Sequence, residues 1–109
     1  MSYLLFLDDR RTPTDVSWVH LPRGNWVLAR SFRDFVDRIE SLGLPRFVSF
    51  DYDLGATQSG CDCAKWLVRY CLDNDEALPV YEVHSTHSAG AAEISQILGA
   101  ARSAMDFIG

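Results

Sequence analysis

Two short apolar runs, each stopped by a pair of aspartates, set the terms on which this chain can fold. Tyr3-Leu4-Leu5-Phe6-Leu7 runs into Asp8-Asp9-Arg10-Arg11, and Phe47-Val48-Ser49-Phe50 runs into Asp51-Tyr52-Asp53-Leu54-Gly55. Neither run shows the polar alternation of a half-exposed strand, so each predicts a strand covered on both faces. The acids mark the exposed ends, because an unpaired carboxylate is costly to bury.

The rest of the chain supplies elements to cover those strands. Trp26 to Ala29 reads as a second short strand. Ser31, with Asp34 three residues on, marks a helix start. Phe32, Phe35, Val36, Ile39 and Leu42 follow at helical spacing, and Gly43 and Pro45 stop the helix. The third strand spans about Arg46 to Asp51. After a loop from Leu54 to Gly60, a helix is expected from about Cys61 to Leu72, with Ala64, Leu67, Val68, Cys71 and Leu72 inward. Val80 to Val83 is a fourth strand, ending in His84-Ser85-Thr86-His87. Ser88 is expected to cap a last helix that buries Ile94, Ile97, Leu98, Ala101 and Met105. Arg10 to Gly24, broken by Pro13 and Pro22, reads as irregular. A helical turn near Pro13–Asp15 fits there, with Trp18 and Val19 over the sheet.

Strands alternating with helices imply an α/β fold with a parallel sheet and right-handed crossovers. A length of 109 residues suits a single domain, residues 1–109. Ligands of such sheets sit outside the carboxyl ends of the strands. That rule gathers Asp8, Asp9, Asp51, Asp53, His84 and Ser85, which are far apart in sequence.

Several acids in one cleft repel each other unless a cation neutralises them, and hard oxygen ligands suit Mg²⁺ or Mn²⁺. Such an ion polarises a phosphoryl oxygen or activates water. The plainer alternative is that Asp9 or Asp53 only caps a neighbouring loop. Arg10 and Arg11 offer guanidinium forks for a phosphate, or merely balance the acids. His84 suits a metal ligand or a general acid or base, or else a half-buried histidine bonded to backbone. Ser85 and His87 are further candidate phosphate contacts. Cys61, Cys63 and Cys71 make no zinc spacing and read as core. The net charge of −5 argues against a nucleic-acid coat. No signal peptide, long apolar span or repeat is seen. With an odd cysteine count, this predicts a cytoplasmic setting, in a cell or an infected host cell.

The order of elements resembles a receiver domain of two-component signalling. The resemblance implies that Asp8 and Asp9 bind Mg²⁺, Asp51 accepts a phosphoryl group and Ser85 contacts it. A receiver also has a fifth strand ending in a lysine. Lys65 is the only lysine here and falls within a helix. A fuller likeness is to the cyclic-phosphate-processing receiver-like family, whose members are often phage-associated. It is carried by Leu7-Asp8-Asp9-Arg10-Arg11-Thr12-Pro13, Ser49-Phe50-Asp51-Tyr52-Asp53-Leu54-Gly55, Ser59-Gly60-Cys61-Asp62, Val83-His84-Ser85 and Gly90. Tyr52 replaces a common histidine, Ser59 a common threonine, and Thr86-His87-Ser88-Ala89 an asparagine-proline stretch. The resemblance implies a small three-layer, flavodoxin-like domain with about four strands in the order 2-1-3-4. It also implies metal-dependent handling of cyclic phosphates, on nucleic-acid 2′,3′-cyclic ends or cyclic nucleotides. On this view Asp8, Asp9, Asp51 and Asp53 hold the metal, Arg11, Arg10, Ser85 and His87 hold the phosphate, and His84 and Asp51 are catalytic. The alternatives are a binding module that sequesters a cyclic nucleotide or a partner protein, and a divergent phosphoacceptor.

Overall fold

A computed structural model describes residues 2–108. Its four strands are β1 (Leu4–Leu7), β2 (Trp26–Ala29), β3 (Phe47–Phe50) and β4 (Val80–Val83). All pair in parallel, in the order β2-β1-β3-β4. Three helices follow the last three strands: α1 (Phe32–Leu42), α2 (Gly60–Asp73) and α3 (Ser88–Ile108). The parallel α/β sheet is the one expected from the alternation of strands and helices, and its strand order is the one that the receiver resemblance implies. No helix among the described residues is long and apolar enough to cross a membrane.

Local chemistry sets the helix ends. The Ser31 side chain accepts the Asp34 amide at the start of α1, and Gly43, at φ 82°, ends it. Helix α2 opens at Gly60 rather than Cys61, because Ser59 and Asp62 form a capping box there. Helix α3 differs from expectation at its cap. Ser88 is its first residue, and His87 caps it: the Gly90 amide donates to His87 Nδ1 at 2.9 Å.

Chain direction decides which face each connection covers. The steps from β2 to β3 and from β3 to β4 run the same way across the sheet. Right-handed crossovers therefore put α1 and α2 on one face. There Leu5, Leu7, Val48 and Phe50 meet Phe35 and Ile39 of α1, Ala64 and Leu67 of α2, and Ile94 and Leu98 of α3. Cys61, Cys63 and Cys71 are buried in the same core, as free thiols. The step from β1 to β2 runs the opposite way, so its connection covers the other face. That third layer is the irregular strap Arg10–Gly24, whose only regular piece is the short turn Pro13–Asp15. The strap is tied down by Trp18, whose indole donates to the His84 carbonyl at 2.7 Å. Arg46 also donates to the Arg23 carbonyl.

Gly60 holds α2 close to the end of β3. A Cβ there would lie 1.9 Å from the Asp51 carbonyl oxygen, a backbone atom that cannot swing away. Gly43 has open space around it. Gly60→Ala is therefore expected to destabilise the protein by about 3 kcal/mol or more. Gly43→Ala meets no neighbouring atom but keeps a backbone, φ 82° and ψ −178°, that essentially only glycine adopts, and should cost about 1–3 kcal/mol. Urea unfolding of the two variants checks the ranking, and equal losses would contradict it.

Candidate functional site

The ladder does not stop where the strands end. Leu7 pairs with Ala29 and Phe50, and Phe50 with Val83. One residue further, the Asp8 amide donates to the Ala29 carbonyl at 3.0 Å. The Asp51 amide donates to Leu7 at 3.0 Å and the His84 amide to Phe50 at 2.9 Å. Asp8, Asp51 and His84 thus follow in one row across the sheet, with Arg30 beside Asp8. Side chains alternate along a strand, so Asp8 shares a face with Phe6, and Asp51 with Ser49.

Asp8 is buried and fully engaged. Oδ1 accepts the amides of Arg10 and Arg11 at 2.9 and 2.8 Å. Oδ2 lies 3.3 Å from Arg11 Nη1 and 3.0 Å from His84 Nε2. Burial alone would raise this carboxyl. The two amides and His84 outweigh it and hold Asp8 below the usual carboxylate range. Arg30 reinforces the turn by donating to the carbonyls of Asp8 and Arg11.

His84 is wholly buried beneath the acids rather than open at a strand end. Its Nδ1 is 2.6 Å from Ser49 Oγ and its Nε2 faces Asp8. Its ring stacks on Phe6, with centroids 4.5 Å apart and planes 4° from parallel. Burial lowers its pKa, Asp8 partly opposes this, and Arg11 adds to it. A neutral ring fits the bonding: the Ser49 hydroxyl donates to Nδ1 and Nε2–H donates to Asp8.

Asp51 carries the strain of the arrangement. Burial, and then the neighbouring Asp8 charge, push its pKa up to about 6. The Tyr52 amide, the Ser85 hydroxyl and Arg11 offset only part of this. Asp51, Asp8 and His84 offer ligand atoms that all lie within 4.8 Å of one another. Two close carboxylates, one of them resisting ionisation, fit a hard divalent cation.

Above the row lies an open cleft of about 560 Å³, lined by Asp9, Arg10, Arg11, Asp51, Asp53, Gly55, Ser85, Thr86 and His87. All the expected site residues border it except Asp8 and His84, which lie below. Asp53 is exposed, and its Oδ1 accepts the Gly55 amide at 2.9 Å, so it shapes the loop as well as lining the cleft. Arg11 is the cation closest to the acids, and its guanidinium also sits 5.3 Å from the Trp18 ring. A second groove, of about 540 Å³ along the strap and Trp26, is lined by no carboxylate.

Sequence reasoning passed over three contributors: Ser49, Arg30 and the Trp18 hydrogen bond. Ser49 had a readable signal, as the one hydroxyl in an apolar strand, two residues before Asp51. Arg30 had one too, since it directly follows a strand. The Trp18 contact spans 66 residues and left no local trace.

The model of one family, the cyclic-phosphate processing receiver domain, matches residues 3–100. The chain belongs to that family. No curated protein and no solved structure matches it. The matched span includes every residue of the row and the cleft described above. In this receiver domain Lys65, the sole lysine, lies exposed on α2, and no strand follows β4 among the described residues.

The raised Asp51 pKa has a measurable consequence. In the unfolded chain this carboxyl ionises near 3.8, and in the fold near 6. Its ionisation therefore opposes folding, with no penalty below about pH 3.8 and the full penalty above about pH 6. Asp51→Asn keeps the acceptor for the Tyr52 amide and removes the charge. In the absence of divalent ions this variant should be more stable than the parent by about 1–2 kcal/mol at neutral pH. The gap should close as pH falls toward 4. Parallel melts across that range check it, and a gap that widens on acidification would contradict it.

Proposed function

We propose that the protein is a metal-dependent phosphoesterase acting on cyclic phosphates, either 2′,3′-cyclic ends of nucleic acids or cyclic nucleotides. The observation that carries this reading is Asp51, pressed against Asp8 at the floor of a cleft whose rim bears Arg10 and Arg11. The family, named for cyclic-phosphate processing, supports the substrate class. An overall charge of −5 favours a small ligand or a nucleic-acid end over an extended strand.

The donor set fits Mg²⁺ or Mn²⁺. Asp8 and Asp51 would hold the ion, with Asp9 and Asp53 at the rim. When bound, the ion supplies charge neutralisation and polarises a phosphoryl oxygen. Arg11 would grip a phosphate oxygen: it lines the cleft, and its guanidinium lies 3.3 Å from Asp8 Oδ2. Arg10 adds positive charge at the mouth. Ser85 steadies Asp51 through its hydroxyl. His84 acts through Asp8: with both ring nitrogens engaged, it orients the carboxylate and does not itself reach the cleft.

One observation favours a second reading, that of a binding module which captures a cyclic nucleotide without cleaving it. Asp8 already has a partner at each oxygen, and His84 has no free nitrogen. The two readings part on the fate of the ligand.

In the presence of Mn²⁺, ring opening of 2′,3′-cyclic AMP or of a 3′,5′-cyclic nucleotide is the expected outcome. Asp51→Ala should lower the rate at least about a hundredfold. Chromatographic detection of the linear monophosphate checks this. Saturable binding with the cyclic compound recovered intact would favour capture, and neither binding nor turnover across a cyclic-phosphate panel would overturn both readings.

A further inference from the structure

One histidine borders the cleft, and its ring is held from two sides. His87 Nδ1 accepts the Gly90 amide at 2.9 Å. A backbone N–H can only donate, so Nδ1 must carry a lone pair, and in the neutral ring the hydrogen then sits on Nε2. The ring also stacks on Tyr52, with centroids 4.6 Å apart and planes 27° from parallel. Tyr52 in turn occupies the space over Gly90, where a Cβ would come within 2.2 Å of its ring. The His87 amide donates to Ser85 Oγ at 3.2 Å, which ties the same loop back toward Asp51. Nε2 has no protein partner among the described residues, and His87 is exposed.

A helix cap alone does not call for an imidazole, since serine, aspartate or asparagine caps as well with a shorter side chain. The imidazole adds a second, oppositely polarised atom beyond the cap. We propose that His87 is the cleft's fixed neutral donor: capping α3 locks its Nε2–H tautomer, and Nε2–H binds an oxygen of the bound phosphate. Tyr52 and Gly90 are positioning residues for that ring. The inference rests on the cleft being a phosphate site. It supplies what the guanidinium groups and the acids do not, an uncharged donor of fixed direction. Such a donor favours a diester oxygen without adding charge to the cleft.

Two substitutions separate the cap from the donor. The Oδ1 of His87→Asn can replace Nδ1 at the cap but leaves nothing at the Nε2 position. His87→Gln places an amide near the Nε2 position and gives up the cap. Inorganic phosphate, titrated calorimetrically with Mg²⁺ present, is the probe. His87→Asn should melt close to the parent yet bind phosphate about tenfold more weakly. His87→Gln should melt several degrees lower and bind within about threefold of the parent. Nitrogen-15 NMR of the parent should show Nδ1 unprotonated and Nε2 bonded to hydrogen. Phosphate binding unaffected in His87→Asn, losses that merely track melting temperature, or an Nδ1–H tautomer would each overturn this inference alone. A parent protein that binds no phosphate would overturn it together with the proposed function.

Discussion

The whole site follows from a parallel ladder that runs one residue past its strands. Hydrogen bonds from the amides of Asp8, Asp51 and His84 to the neighbouring strands fix three polar side chains in one row. Two of them are carboxylates, and their mutual repulsion must be answered. Asp8 is answered inside the protein, by two amides, a guanidinium and an imidazole. Asp51 is answered only in part: burial first, and then the Asp8 charge, keep its pKa raised. The two acids therefore differ: one is held as an anion, and the other resists ionisation.

Topology explains why the strap matters. Because α1, α2 and α3 share one face, the opposite face is left to Arg10–Gly24. A helix starting directly after Asp9 would carry Arg11 away along its axis. The irregular turn instead brings both its amide and its guanidinium back to Asp8. The same strap sends Trp18 to the carbonyl of His84, so the covering layer also pins the far end of the row. Loss of regular structure in this connection thus builds the site's positive side.

Much of this was legible in the sequence, for a definite reason. Apolar runs ending in acids, Ser31 with Asp34, and Gly43 before Pro45 are local signals, and the parallel sheet follows from their alternation. The strand-end rule then named residues that the fold brings into one row and one cleft. Depth was not legible. His84 looks like an exposed strand end until register puts it beside Ser49 and Phe6 and beneath the strap, contacts set by residues 35 to 78 positions away. Asp8 looks free until the turn folds two amides onto it. The cap of α3 was misplaced by one residue because Ser88 has the stronger capping preference, while the loop geometry hands that role to His87. Asp53 was left as either cap or ligand, and its bond to Gly55 shows the loop-shaping part without excluding the cleft from its reach.

The proposed chemistry depends on Asp51 and Asp8 together forming a cation site. Calorimetric titration of Mn²⁺ into the parent protein and into Asp51→Asn, at neutral pH, tests this most directly. Saturable binding of a single ion per chain is expected, weakened at least about tenfold in the variant. Equal affinity in both proteins, or no binding by the parent, would contradict it.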